Sequence, residues 1–260
     1  MTIVFNGDIP SGNYGNYTTF ETGNASGFQL VDDPLGIKGT VLKTTLEYGD
    51  ALAGGSHRTE ISVYTEDSGS VVGSTRWYKF STLLPSTWQT GGNWATFFQV
   101  HDTPDGGDPA RHPPVEWTIH EDGLLYIGVN HPVSSVNDNQ VLVDVAAGID
   151  PRFGQWDDWV IQVVWQWQAT GLFRVWRNRR KILELPNFAT CYQDVGRNYP
   201  KFGMYVPFDL SSAIPGRVAY HTGIVIGDNA YSTFNGFMAA TGSSVTELEM
   251  VTSVKVGAHE

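Results

Sequence analysis

The most regular hydrophobic pattern in the chain is an alternation. From Trp159 to Gln168 the odd positions are Trp159, Ile161, Val163, Trp165 and Trp167, while the even ones mix Val160 and Val164 with Gln162, Gln166 and Gln168. A period of two predicts a strand with one face in a core and the other at least partly wet. Thr170-Gly171 predicts a turn into a strand over 172–177. Asn178-Arg179 then closes a hairpin before a strand over 181–185, so a β-meander is expected. Comparable runs predict strands over 41–47, 76–84, 95–101, 115–120, 124–130, 201–206 and 223–227. Residues 11–27, rich in Gly, Asn, Thr and Tyr, read as loops and short strands. Residues 102–114, ending in Pro113-Pro114, read as a long surface loop.

No internal repeat, linker or helix-rich segment divides the 260 residues, so one domain over 1–260 is expected. The 29 Gly, 13 Pro and 13% aromatic residues suit many short strands joined by turns, an all-β sandwich or jelly roll. A net charge of -11 excludes a basic protein that grips nucleic acid by neutralising phosphates. It leaves open an acidic enzyme with a local basic cleft for an acidic polymer. Cys191 is the single cysteine, so neither an intrachain disulfide nor a four-cysteine zinc site can form. No apolar run reaches 18 residues, so no membrane partner is expected, and the first residues lack the character of a signal peptide. A monomer is expected, either cytoplasmic, phage-borne or secreted with its signal removed. Secretion is preferred, and the sequons at Asn16 and Asn24 are compatible with it.

Three strand-like segments place polar residues two or four apart, hence on one face: Arg58 with Glu60, Gln99 with His101, and Lys201 with Tyr205. Each has an ordinary reading, respectively a solvated ion pair, a hydrogen-bonded structural histidine and a core or rim aromatic. Together, on neighbouring strands, they make a polar patch in which Gly203 leaves space between Lys201 and Tyr205.

The same segments carry a resemblance. Ser56-His57-Arg58-Thr59-Glu60-Ile61, Gln99-Val100-His101 and Tyr199-Pro200-Lys201-Phe202-Gly203-Met204-Tyr205 resemble, in the same order, the three signature strands of alginate-lyase-like jelly rolls. Trp77-Tyr78-Lys79-Phe80-Ser81-Thr82-Leu83-Leu84-Pro85 and Phe97-Phe98-Gln99-Val100-His101-Asp102 look like the heparin-lyase-type and glucuronan lyases, and the resemblance spans residues 30–235. It implies a concanavalin-like jelly roll of two antiparallel sheets with a concave substrate groove. The implied activity is β-elimination on an acidic, uronate-containing polysaccharide, with no cofactor required. Val206-Pro207 stands where alginate lyases usually carry Asn-Gln, which shifts the expected substrate from alginate towards glucuronan. His57, adjoining the Arg-x-Glu segment, fits the glucuronan side.

Elimination chemistry suits these residue types. Removing the C5 proton of a uronate places charge on the neighbouring carboxylate, which Gln99 and Arg58 are suited to neutralise. Tyr205 is the candidate acid and base, helped by His57 or His101, with Lys201 in support. His57 has the opposite parity to Arg58, so it reaches the cleft only if a bulge or strand start follows Gly54-Gly55. Substrate contacts are further expected from Glu60, Tyr199 and Arg174, the last within a basic run of Arg174, Arg177, Arg179, Arg180 and Lys181 whose plain reading is a solvated hairpin. Arg111 is expected as a lid cation on the long loop. Asp228 is a candidate ligand for a structural Ca²⁺, or else a turn residue. A hydrolase would need two flanking carboxylates, and the Glu-x-Asp-x-x-Glu segment of laminarinase-like sandwiches is missing. A non-catalytic binding module or phage tail domain, using the nine Trp as stacking platforms, is the other rival.

Overall fold

The computed structural model describes residues 2–7, 14, 17–64, 70–89, 94–133, 140–207 and 216–248. In chain order the strands are β1 (Ile3–Asn6), β2 (Thr19–Thr22), β3 (Phe28–Asp32), β4 (Thr40–Glu47), β5 (His57–Ser62), β6 (Thr75–Leu83), β7 (Ala95–His101) and β8 (Val115–Ile119). They continue with β9 (Leu125–Pro132), β10 (Gln140–Ile149), β11 (Trp156–Val164), β12 (Gly171–Arg177), β13 (Arg180–Phe188), β14 (Tyr199–Val206) and β15 (Gly216–Gly227). One helix, α1 (Phe234–Ala240), follows. The strands form two sheets, β13-β12-β11-β6-β15-β4-β3 with β1 also on β15, and β10-β9-β8-β7-β14-β5-β2. Every pairing is antiparallel.

The core lies between the sheets. Phe80 stacks on Phe98 at 4.4 Å, Phe202 packs edge-on to Phe80, and Trp117 meets Trp159 edge to face. The alternation read in the sequence is the reason: Trp159, Ile161 and Val163 of β11 and Phe98, Val100, Phe202 and Met204 of β7 and β14 all point inward. Burying side chains of this size contributes roughly 2–3 kcal/mol each.

The other face of the first sheet is partly wet, as expected: Asp158 and Gln168 are exposed, and Gln162 accepts from Arg174. Trp77 stacks between Trp176 and Phe237, and α1 lays Phe234, Phe237 and Met238 over Val160 and Val225. Around Val160 this face therefore makes a second apolar contact. The hairpin at Asn178-Arg179 forms as expected, with both residues at positive φ, 52° and 69°, as a two-residue turn with the right twist requires. Strand β10 departs from the sequence expectation: register shifts at 144–146 and 146–149 break its alternation, so it carries no clean period-two signal.

Candidate active site

The three polar segments come together as expected. Strand β14 lies between β5 and β7, pairing Tyr205 with Arg58, Gly203 with Glu60, Lys201 with both Ser62 and Gln99, and Tyr199 with His101. Opposed residues of an antiparallel pair share a face, so Arg58, Glu60, Gln99, His101, Tyr199, Lys201 and Tyr205 all stand on the side of the sheet away from the core. Gly203 does more than leave room. Its φ is +144°, and a Cβ there would sit 2.0 Å from the Thr59 carbonyl oxygen. The pairing of β14 with β7 slips between Phe202 and Tyr205, and this glycine is what lets the strand bend there.

Glu60 is the hub. Buried at 2% exposure, it accepts a short hydrogen bond from the Gln99 amide and lies 3.7 Å from Arg58 Nη1 and 3.8 Å from Lys201 Nζ. A carboxylate only accepts, so the Gln99 nitrogen faces Glu60 and its second N–H is left for another acceptor. Glu21 of β2 closes the cluster, bonding Lys201 Nζ and lying 3.3 Å from Arg58 Nη1. Burial works against the Glu21 charge, yet Lys201, with Arg58 and His101 behind it, holds the carboxyl below its ordinary range. Two cations and two carboxylates thus make a neutral, rigid base under the cleft.

Arg58 covers the Tyr205 ring, 4.9 Å from guanidinium to centroid, and the Trp94 ring lies tilted against it at 5.9 Å. The Tyr205 hydroxyl makes no hydrogen bond to any described residue. His101 Nδ1 sits 2.8 Å from the Asp102 carbonyl oxygen, which can only accept, so that nitrogen carries the proton and Nε2 is left as a base. The His101 ring stacks on Tyr199 at 5.7 Å. Burial first, then the carboxylates of Glu21, Asp102 and Glu60, push the Tyr199 hydroxyl well above its usual range, so it stays protonated. Arg58, Trp94, Gln99, His101 and Tyr205 line a cleft of about 390 Å³. Beneath the bend, His221 of β15 is fully buried beside Thr82, and burial pushes its ring down to about 3, only partly opposed by the Gly203 backbone.

The remaining expectations fare differently. His57 pairs with Val206 and β5 is regular throughout, so His57 shares the inward face of Thr59 and Ile61 and does not line the cleft. No bulge turns it over. Arg111 borders the cleft but is no mobile lid: Asp102 Oδ2 at 2.7 Å, Asp108 at 2.8 Å and Asp194 at 2.6 Å surround its guanidinium, which lies over Tyr192. One cation cannot satisfy three carboxylates, and burial with the nearby Asp102 charge lifts the Asp194 carboxyl to about 6, against Arg111's pull. Arg174 belongs to the other sheet, where it bonds Glu184 and Gln162; Lys181 pairs with Glu184 and Arg177 with Asp157. That basic hairpin is remote from the cleft, on the structural reading. Asp228 accepts the Ala230 N–H in a turn, and no group of three or more metal-ligating side chains occurs among the described residues. Of the nine Trp, 77, 117, 156, 159, 165 and 176 are buried, so they are core rather than stacking platforms. Asn16 lies outside the described residues.

Glu21, Trp94, His112 and Glu116 were missed. Glu21 sits in a stretch that reads only as loops and short strands, and Trp94 precedes its strand, so neither carries a spacing signal. Glu116 Oε1 accepts from Asn130 at 3.0 Å and lies 3.7 Å from His112 Nδ1, and Glu116 first, through that contact, raises the His112 ring above its ordinary value.

A two-sheet antiparallel sandwich with a polar groove laid across one sheet is a β-jelly roll of the kind found in carbohydrate-active enzymes. Within that class the chain belongs to the polysaccharide lyase family, whose family model matches residues 9–225. No curated protein sequence matches it. Among solved structures it is similar to an endo-β-1,4-glucuronan lyase from the fungus Trichoderma reesei, with a TM-score of 0.71 and 20% identity over 87% of this chain and 95% of that one. It is also similar to an alginate lyase from Aplysia kurodai (TM-score 0.56, 12% identity, 88% and 100% covered) and one from Pseudomonas aeruginosa (0.54, 15%, 82% and 99%). At these identities the likeness is one of fold. No helix among the described residues is long and apolar enough to cross a membrane.

Proposed function

We propose that the chain cleaves a polymer of 1,4-linked uronate by β-elimination, acting within the chain on β-linked glucuronate, of which glucuronan is the homopolymer. The observation that carries this is the convergence of Arg58, Gln99, His101 and Tyr205 from three adjacent strands on one cleft, in a member of a polysaccharide lyase family. The free Gln99 N–H and the Arg58 guanidinium bind the substrate carboxylate and take up charge as it grows in the transition state. In β-1,4-linked glucuronate, H5 and O4 leave from one face. Tyr205 takes the C5 proton and delivers it to O4 as the C4–O4 bond breaks and a C4–C5 double bond forms. His101, through Nε2, shares the proton work from the cleft wall. Arg58 over the Tyr205 ring stabilises the phenolate that takes the proton and that is regenerated when O4 receives it; between the two transfers the ring is a neutral phenol. Lys201 and Glu60 hold this set in place from below. Glucuronan is preferred to alginate because Val206-Pro207 follows Tyr205. The same reading makes the enzyme a secreted monomer that needs no cofactor.

The test is the appearance of an ultraviolet-absorbing unsaturated uronate from polyglucuronate. Tyr205→Phe is expected to lower kcat by about 10²–10⁴-fold, the usual weight of a general acid–base group, with unchanged folding. Retained product formation by that variant overturns the mechanism. Reducing ends without absorbance indicate a hydrolase, and binding without either indicates a lectin.

A further inference from the structure

The groove does not end at the cleft. A pocket of about 130 Å³ shares Trp94, His112 and Glu116 with it and continues over β8, β9 and β10. Its floor is built for a sugar. The His120 and Tyr126 rings stack face to face at 3.9 Å, so the pair offers an outer aromatic face to the pocket that Trp94 also lines. Its charge, however, is wrong for a uronate. Glu116 and Asp144 line it, and among the described residues no Lys or Arg does. The sequence makes the absence general: between Arg111 and Arg152 there is no Lys or Arg, whereas Glu116, Glu121, Asp122, Asp138, Asp144 and Asp150 all fall there. That interval contains β8, β9, β10 and everything joining them. His112, when charged, stands against Glu116 at 3.7 Å and offsets that carboxylate.

The two halves of the groove therefore differ. Over β5, β14 and β7, Arg58 and Lys201 balance Glu21 and Glu60, and Gln99 has a donor to spare. Over β8 to β10 the carboxylates are in excess. Two like charges about 6 Å apart weaken binding roughly threefold at the dielectric constant of water and on the order of a hundredfold at that of a protein surface.

We infer that the groove takes a uronate at the cleft and an uncharged pyranose over β8–β10, so that the preferred substrate is a polymer in which 4-linked glucuronate is flanked on one side by a neutral sugar. This rests on the reading of the chain as a lyase of β-linked glucuronate and puts a mixed chain in place of the homopolymer as the preferred substrate. Stacking on the outer face of the His120–Tyr126 pair recognises the neutral ring, while Glu116 and Asp144 reject a carboxylate there.

The probe is polyglucuronate and the same polymer with part of its carboxyl groups reduced to primary alcohols, which keeps the linkage and interposes uncharged units. The release of unsaturated uronate is followed at low ionic strength. kcat/KM per remaining glucuronate is expected to rise about tenfold on partial reduction, and the gap to shrink in about 0.5 M salt, where screening is strong. Glu116→Gln combined with Asp144→Asn is expected to raise kcat/KM on the unreduced polymer severalfold. An unreduced polymer cleaved as well as or better than the reduced one by the wild-type enzyme overturns the inference and leaves the lyase reading intact. No absorbing product from either polymer overturns the lyase reading and the inference with it.

Discussion

Glu60 holds two cations and an amide with one buried carboxylate, which gives its substitution a double consequence. Glu60→Gln removes the charge that Arg58 and Lys201 share and leaves Gln99 only a neutral, weaker amide acceptor. Breaking a buried ionic group in this way leaves cations uncompensated and costs about 3 kcal/mol. The expected result is a lower denaturation midpoint together with a fall in kcat of about tenfold or more, because the carboxylate-binding pair loses its alignment; unchanged kinetics would mean that Glu21 alone suffices. His221 shows the same logic for protonation. Its buried ring titrates at about 3 in the folded chain and near ~6.5 when unfolded. The unfolded chain therefore binds a proton that the folded one refuses. Its contribution is intact above the unfolded value and is lost as the pH falls towards the folded one, at about 1.4 kcal/mol per pH unit. Unfolding free energies for the wild type and His221→Gln, measured at about pH 7 and about pH 5, are expected to differ in their pH dependence by about 2 kcal/mol.

At the scale of elements, the bend in β14 matters most. Gly203→Ala would place a methyl group 2.0 Å from the Thr59 carbonyl oxygen at a φ of +144°, so β5 and β14 have to separate. Loss of about 3 kcal/mol or more is expected, visible as a fall in melting temperature. In any folded fraction Tyr205 is displaced from Arg58 and activity falls further than stability predicts. The loop from Asp102 to Pro114 is the second such element. Its sequence reads as a long surface loop carrying a lid cation, yet Arg111 ties it to Asp102 and Asp194. Arg111→Ala is expected to loosen the cleft wall, raising KM and increasing hydrogen exchange in the loop; an unchanged KM would show that the wall plays no part in binding. Its charge is invisible as an anchor in the sequence because Asp194 lies 83 residues away along the chain.

At the scale of the whole molecule, a net charge of -11 sets how the polyuronate proposed as substrate would approach. Such a polymer and the enzyme repel at long range, and the neutral cluster under the cleft acts only at contact. Raising the ionic strength from about 0.01 M to about 0.15 M shortens the screening length from roughly 30 Å to roughly 8 Å and is expected to increase kcat/KM on a polyuronate. A decrease would indicate that contact charges dominate over the overall field.

Much of this was legible along the chain because strands write their burial into a period of two. That period located β4, β6–β9 and β11–β15, and side-chain alternation within single strands put Arg58 with Glu60, Gln99 with His101 and Lys201 with Tyr205 on one side each; that the three pairs meet on one face was decided by the pairing of β5, β14 and β7. It also implied that His57 faces away from Arg58, and β5 is regular enough for that parity to hold. What the chain order could not carry was anything decided by partners remote in sequence. The cover that α1 lays on Trp77, the closing of the cluster by Glu21, the anchoring of Arg111 and the placement of Arg174 on the far sheet all depend on which strands become neighbours. Alternation tells which side a residue faces. Only the packed sheets decide what it meets there, because the energies of ion pairs and buried polar groups depend on distance in space, not on spacing along the chain.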